Sequence, residues 1–448
     1  MGDDEEAAEP RVESSGTGYS AAFCAGSHGA ASMVSWGALR RPSRLIILNL
    51  IAAISYLVVA SASGSLANVH TSVFSSPDSR SYRAVADWIF GARASAEASA
   101  WRPFLYPLLL GLAERFGGIL GVWFLNVALW FITLNVAAAA TYRFVKSNWA
   151  AALVFLVLAT NLSLMLLTFE GLTEITVVAL LAVWIYGLSH LTRRPTASQV
   201  AWALLPVTLL VVVKPEFEFL LAVMAVVLLA GIIRSPAPGL AAAVFAACLI
   251  PVAIQLAVNV HFNGYFGISD IGDKTVRGYF LSRLDVAIGQ AGNVQGARLK
   301  MVVISNLDAA HFVVNHFRKA VGVFVSTLRE NLLAGSSFLD GHHPRIASLI
   351  LVTQRAYFVM LLALIPLVAV ALWRARDGRL ALLCAATLNV FLAGGLTFWQ
   401  GDRITIVALP LWLIALVLAV KQAGGPRLWG SLATRLRSAS TPTIRARQ

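Results

Sequence analysis

Apolar residues in this chain gather into long unbroken runs, not into the alternation of a half-buried strand or the narrow stripe of a surface helix. Residues 45–60, 175–188 and 404–420 are three such runs, each bordered by charge. An α-helix needs roughly 20 apolar residues to cross a hydrocarbon layer about 30 Å thick. In lipid each backbone N–H and C=O must be satisfied inside its own segment, which helices achieve unaided. The pattern therefore predicts an all-α, polytopic transmembrane bundle of about ten spans: 44–63, 119–141, 150–167, 174–191, 200–213, 217–233, 240–260, 357–373, 380–398 and 404–420.

Two long intervals break this rhythm. In the first, 64–118, residues 82–90 are amphipathic and 104–112 are apolar but too short to span, so both are expected to lie along the membrane surface. The second, 261–345, has an apolar piece at 312–327 interrupted by His316, Arg318 and Lys319. That interruption favours surface helices over another spanning pair. Between 200–213 and 217–233 the turn Lys214-Pro215-Glu216 falls below the outer interface, where a charge requires a partner or a cavity.

Composition supports the membrane and excludes a soluble globule: 58% of the residues are hydrophobic, 13% are charged and the mean hydropathy is +0.74. The net charge of +13 raises nucleic acid as a partner. Yet the cations sit in short connectors, at Arg40, Arg41 and Arg44, Arg143 and Lys146, Arg193 and Arg194, Arg374, Arg376 and Arg379, and in the tail with Arg445 and Arg447. The positive-inside rule reads these as cytoplasmic, which places both termini in the cytoplasm and both long loops outside.

The resulting organisation has five parts. Residues 1–43 form an acidic, disordered cytosolic tail, with Met33 an alternative start of translation. Residues 44–260 form a transmembrane module carrying the first loop, 261–345 a second outer platform, 346–420 the last spans and 421–448 a basic cytosolic tail. Cys24, Cys248 and Cys384 support neither a disulfide framework nor a zinc site.

Chemistry is sought on the outer loops. The first holds Ser76-Pro77-Asp78-Ser79-Arg80-Ser81-Tyr82, then Trp101-Arg102-Pro103-Phe104-Leu105-Tyr106-Pro107. Asp78 reads as a helix N-cap or as a reactive carboxylate. Glu170 and Glu174 stand four apart at a helix start, either to meet the helix dipole or to face the first loop together. Arg102, Lys214 and Arg403 are cations near the outer face, with Glu216 and Asp402 as local partners. They suit either structural ion pairs or an anionic ligand such as a phosphate.

The order Asp78 and Tyr82, Arg102-Pro103, Phe116-Gly117, then Glu170 with Glu174, resembles the first-loop and fourth-helix elements of the GT-C superfamily of polyprenyl-phosphate-sugar glycosyltransferases. That superfamily includes the lipid A aminoarabinose transferase and protein O-mannosyltransferases. The likeness covers about residues 44–219 and continues weakly to Lys214 and Gly401-Asp402-Arg403. It departs where Asp78 is followed by Ser and where Arg, not Lys, precedes Pro103. The resemblance implies an integral-membrane inverting glycosyltransferase of the cell envelope, working on the extracytoplasmic face. Its donor would be a polyprenyl-phosphate sugar and its acceptor a glycolipid, polysaccharide or protein hydroxyl. Asp78, Glu174 and Glu170 would be catalytic, Arg102, Lys214 and Arg403 would bind the donor phosphate, and Tyr82, Tyr106 and Trp101 would touch substrate. A divalent cation held through the carboxylates is an accompanying expectation.

Other motifs are bland. His311, His316, His342 and His343 lack a zinc spacing, and His190 reads as an interfacial residue. Trp123, Trp373 and Trp399 suit interface anchors, whereas Trp88 and Trp101 in the first loop are candidates for sugar contact. No Gly-rich phosphate loop is present. A transporter or flippase of lipid-linked glycans would place its charges nearer the midplane. A polysaccharide polymerase or ligase would share the outer arginines without requiring Asp78.

Overall fold

The computed structural model describes residues 42–95, 97–333, 344–375, 377–397 and 402–439. The acidic tail with Met33, residues His342, His343, Trp399 and Gly401, and the end of the basic tail with Arg445 and Arg447 lie outside them. Among the described residues every regular element is helical.

The first helix, α1 (Pro42–Ala62), shows how lipid replaces a protein neighbour. Ile46, Ile47, Leu50, Ile54 and Leu57 are exposed, while Ala52, Tyr56 and Ala60 face the bundle. Polar contacts fix its rotation. The amides of Asn49 and Asn135 pair reciprocally at 2.9 and 3.0 Å, and the Tyr56 hydroxyl meets Thr168 Oγ1 at 2.7 Å and Trp123 Nε1 at 2.9 Å. Such bonds are each worth on the order of 1 kcal/mol between helices in lipid.

The first loop contains α2 (Val69–Ser72) and α3 (Pro77–Ile89). Helix α3 begins five residues before the amphipathic stretch predicted at 82. Ser76 caps it by accepting from Ser79 N at 3.0 Å, and Pro77 opens the first turn. Its buried residues Ser79, Tyr82, Val85 and Ala86 form one stripe, so polar Asp78 and Ser81 flank the packed face. Next, α4 (Leu105–Val145) is two helices in one: Gly118, at φ +60° and ψ −151°, breaks it. The piece before that break covers the stretch 104–112 expected to lie along the surface, and the piece after it is apolar and long enough to cross a membrane.

Helix α5 (Asn148–Ala159) continues into α6 (Leu162–Leu166) with a bend of 59°. After the turn at 167–173 come α7 (Glu174–His190), α8 (Ala197–Val211), α9 (Glu218–Ile232), α10 (Pro238–Cys248) and α11 (Ile250–Val258). The second long interval holds α12 (Ile271–Thr275), α13 (Ser282–Ala287), α14 (Val294–Met301), α15 (Asn306–Asn315) and α16 (Phe317–Leu333). The chain then closes with α17 (Pro344–Ala375), α18 (Gly378–Leu396) and α19 (Asp402–Ala439). The stretch expected at 312–327 divides at His316 between α15 and α16, and neither helix is long and apolar enough to span.

Six helices among the described residues are long and apolar enough to cross a membrane, or seven if the bent pair α5–α6 is one crossing. That is fewer than the ten expected, for a physical reason. Helices α7 and α8 have 17 and 15 residues, and at 1.5 Å per residue they reach only about 26 and 23 Å.

Burial sorts the helices. Within the bundle 72% of the 406–423 window of α19 is buried, against 17% of the α1 window, so α19 is central and α1 peripheral. Trp130, Leu134, Val177, Leu181, Trp184, Leu204, Leu411 and Ile414 form the core around it.

Candidate active site

Four chain segments meet where α3, α7 and α19 begin. The Asp78 carboxylate, in the first turn of α3, accepts from Arg102 Nη2 at 2.5 Å through Oδ1 and from Arg403 Nη1 at 3.1 Å through Oδ2. Arg403 also donates to Glu174 Oε1, from Nε at 2.9 Å and Nη2 at 2.7 Å. The network thus runs Arg102, Asp78, Arg403, Glu174, joining residues 325 and 229 positions apart in the chain.

Each member is held by local structure. Arg102 also donates to Ser81 Oγ at 2.9 Å and Tyr82 Oη at 3.0 Å, and its guanidinium lies over the Tyr82 and Trp101 rings. The Tyr82 and Tyr106 rings meet edge to face at 5.0 Å. The second long interval and the end of α11 clamp the other side of this loop. Tyr265 Oη donates to the Ala100 carbonyl, Ser269 Oγ to the Trp101 carbonyl, and the buried Gln255 accepts from Phe104 N at 2.9 Å. Lys274 sits over the Trp101 ring, and Trp88 packs edge-on against Phe262.

The acidic turn is fastened from behind. Asn126 Nδ2, inside α4, donates to the Glu170 carbonyl at 2.8 Å and the Thr168 carbonyl at 3.1 Å. Gly171 N donates to the Val73 carbonyl at 2.8 Å, and a Cβ on Gly171 would stand 2.8 Å from that same oxygen. Glycine therefore lets the first loop lie directly against the turn that carries Glu170 and Glu174.

Charge follows from this packing. Burial alone would raise the Asp78 pKa, but the Arg102 and Arg403 cations outweigh it and hold the carboxyl below its ordinary range. Glu170 goes the other way: burial pushes it up to about 8, Arg403 opposes this and neighbouring Glu174 reinforces it. At neutral pH Glu170 is mostly the neutral acid. Oxygens Oε2 of Glu170 and Glu174 and the Tyr106 hydroxyl are buried without a hydrogen-bonding partner among the described residues. Leaving such groups unmatched costs about 1–3 kcal/mol each, so a hydroxylated ligand or water at this place is favoured.

The residues selected from sequence all fall in or beside this cluster. Asp78 is not the helix cap, because Ser76 takes that role. Lys214 pairs with its local partner Glu216 at 3.2 Å, and its charge also feels Glu174 and Arg403. Arg403 pairs with the distant acids Asp78 and Glu174, and the Asp402 side chain expected as its local partner lies outside the described residues. Trp101 contributes its ring face to two cations, and Trp88 contacts Phe262, not the network.

A divalent cation does not fit the carboxylates as they stand. Arg403 separates Asp78 from Glu174, and among the described residues no group of three His, Cys, Asp or Glu converges. His316 instead bonds the Phe312 carbonyl through Nδ1 at 3.0 Å, one turn back on α15. Sequence reasoning missed Ser81, Asn126 and Gln255. The last two had a visible signal, a lone amide inside an apolar run, where an unpaired polar group is costly. Ser81 had none.

No protein family, curated protein or solved structure matches this chain.

Proposed function

We propose that the chain is an integral-membrane, inverting glycosyltransferase of the GT-C type, moving a sugar from a polyprenyl-phosphate donor to a hydroxyl of a glycolipid, polysaccharide or protein. The observation that carries the reading is Asp78 between Arg102 and Arg403 at the outer end of the bundle. A base and two buried cations within one network are what such a transfer needs.

In the reaction the acceptor oxygen attacks the anomeric carbon from the face opposite the phosphate, and its proton passes to the Asp78 carboxylate. The bond from the anomeric carbon to the phosphate oxygen breaks, and both its electrons leave with polyprenyl phosphate. The donor phosphodiester, with one negative charge, becomes a monoester that gains a second. Arg102 and Arg403, with Lys214 as a further point charge, meet the charge that develops, where preorganised donors act most strongly. Glu174 orients Arg403. The unmatched oxygens of Glu170, Glu174 and Tyr106 suit sugar hydroxyls, and the exposed side of Trp101 offers a stacking face.

The topological reading belongs with this proposal. Counting α5–α6, α7, α8 and α17 as crossings beside the six long apolar helices gives ten, with both termini cytoplasmic by the positive-inside rule. The active face is then extracytoplasmic, where lipid-linked sugars are consumed in a cell envelope. Short α7 and α8 reach across if the bilayer thins or the helix ends stop below the interface.

Purified protein incubated with a panel of polyprenyl-phosphate sugars is expected to release polyprenyl phosphate and glycosylate an added acceptor extract. Asp78→Asn, with unchanged elution and thermal unfolding, is expected to do neither. Turnover retained in a folded Asp78→Asn removes Asp78 from this role and favours a polymerase or ligase. A wild-type protein inert toward every donor overturns the reading.

A further inference from the structure

As it stands, Asp78 is poorly prepared to act as a base. Each of its oxygens is engaged by a different guanidinium, and burial is outweighed by those cations, which hold the carboxyl below its usual range. The same two guanidiniums are the ones a donor phosphate needs. A carboxylate and a phosphodiester present them with equivalent ligands: two oxygens sharing one negative charge.

The partners of the three residues are arranged unequally. Arg102 keeps Ser81 and Tyr82 when Asp78 is taken away, and Arg403 keeps Glu174. Asp78 has no third anchor among its described side-chain contacts. The arginine side chains are 8% exposed and the Asp78 side chain is 34% exposed. The cations are therefore held by partners other than Asp78, and the carboxylate is held only by the cations.

We infer that Asp78 is a built-in occupant of an anion site between Arg102 and Arg403, and that a lipid-linked phosphate binds by displacing it. The swap exchanges one negative charge for another, so it leaves no unpaired guanidinium in a buried setting. It also ties two events together. The base is released from its cations only when a donor phosphate has replaced it, which guards against wasteful chemistry in the empty site. The inference rests on the transferase reading above for its ligand class.

Binding of farnesyl phosphate to the full-length protein in detergent tests it, with farnesol as the uncharged control. If Asp78 competes for the site, removing its charge strengthens phosphate binding: Asp78→Asn is expected to bind farnesyl phosphate roughly tenfold more tightly than wild type, since the fraction of open sites rises. Farnesol is expected to bind both alike. Should Asp78→Asn not fold alone, the comparison is made on protein purified in farnesyl phosphate, where recovery of the fold by the phosphate and not by farnesol is the expected result. Equal or weaker phosphate binding by folded Asp78→Asn, or failure of the phosphate to restore the fold, overturns the inference while wild-type binding leaves the phosphate site intact. Absence of phosphate binding in wild type overturns both the inference and the phosphate site on which it rests.

Discussion

The two long intervals between the apolar runs of this molecule use charge in different ways. In the second interval each of the four ion pairs among the described residues keeps one partner at least 44% exposed, even where the other, Asp285, is buried. Arg277 meets Asp273 one turn away, Lys274 meets Asp270, and Arg283 meets Glu330, which is 44% exposed. Around Asp78 the pairs join remote segments through buried guanidiniums. Exposed pairs contribute little and exact little if broken. A buried network drawn from three helices is costly to assemble, since each ion must leave water. A cost of that kind is expected where the arrangement has work to do, and this contrast separates the candidate site from its scaffold.

The sharpest way to break the comparison is Arg403→Gln. It leaves Asp78 with one cation and Glu174 with none in a buried place, so a loss of about 3–5 kcal/mol is expected in denaturant unfolding of the solubilised protein. Adding Glu174→Gln should recover part of that loss, because the second substitution removes the stranded charge. Equal, additive losses in the two single variants would show that the pair is not coupled.

A smaller effect is expected at Gly171. In Gly171→Ala the new methyl group meets the Val73 carbonyl, so the first loop must move away from the acidic turn. A loss of about 1–3 kcal/mol is expected for such overpacking, with donor affinity falling alongside stability because Asp78 and Glu174 no longer share Arg403. Gly322→Ala in α16 is the contrasting variant. A Cβ there meets nothing within 4 Å, and a change within about 1 kcal/mol, toward greater stability, is expected from helix propensity.

How much of this was legible in the sequence follows from the range of the interactions. Runs of apolar residues disclose helices because the signal is local, and α1, α9 and α18 lie within a few residues of where the pattern puts them. Asp78, Arg102, Glu174 and Arg403 were recognisable as a set of candidates because charge near an apolar run is conspicuous. Which acid meets which cation was not legible. Proximity in sequence favoured Asp402 for Arg403, whereas the fold brings Glu174 and Asp78 across the bundle. Whether α7 and α8 cross was also not legible from hydropathy alone, since both are buried among other helices and an apolar core helix reads the same as a lipid-facing one.

Glu170 tests the electrostatics without breaking a pair. Its carboxyl sits near 8 in the folded protein against an ordinary 4.5. Between these values the folded state holds a proton that the unfolded state has lost, so stability falls as pH rises through the window, by up to about 1.4 kcal/mol per pH unit. Glu170→Gln removes this titration. Thermal unfolding of the variant is expected to be flatter than wild type from about pH 5 to pH 8 and to match it most closely at the acid end. Parallel curves would mean that Glu170 is ionised throughout.

The smallest effect is expected in the second interval. Arg283 donates to Thr327 Oγ1 at 2.9 Å and pairs with Glu330 at 2.6 Å, so α13 is tied to α16. The same helices are also joined by the apolar cluster of Phe280, Leu281, Leu284, Met301 and Ala320, and that burial does not depend on charge. Arg283→Ala is therefore expected to cost no more than about 1 kcal/mol, with transferase activity within about twofold of wild type. Since exposed pairs are screened by salt and buried ones much less, raising the ionic strength should erase the small Arg283→Ala difference and leave the Arg403→Gln defect standing. If salt abolished both defects, the first-loop network would be as solvated as the second interval, and the distinction between site and scaffold would be lost.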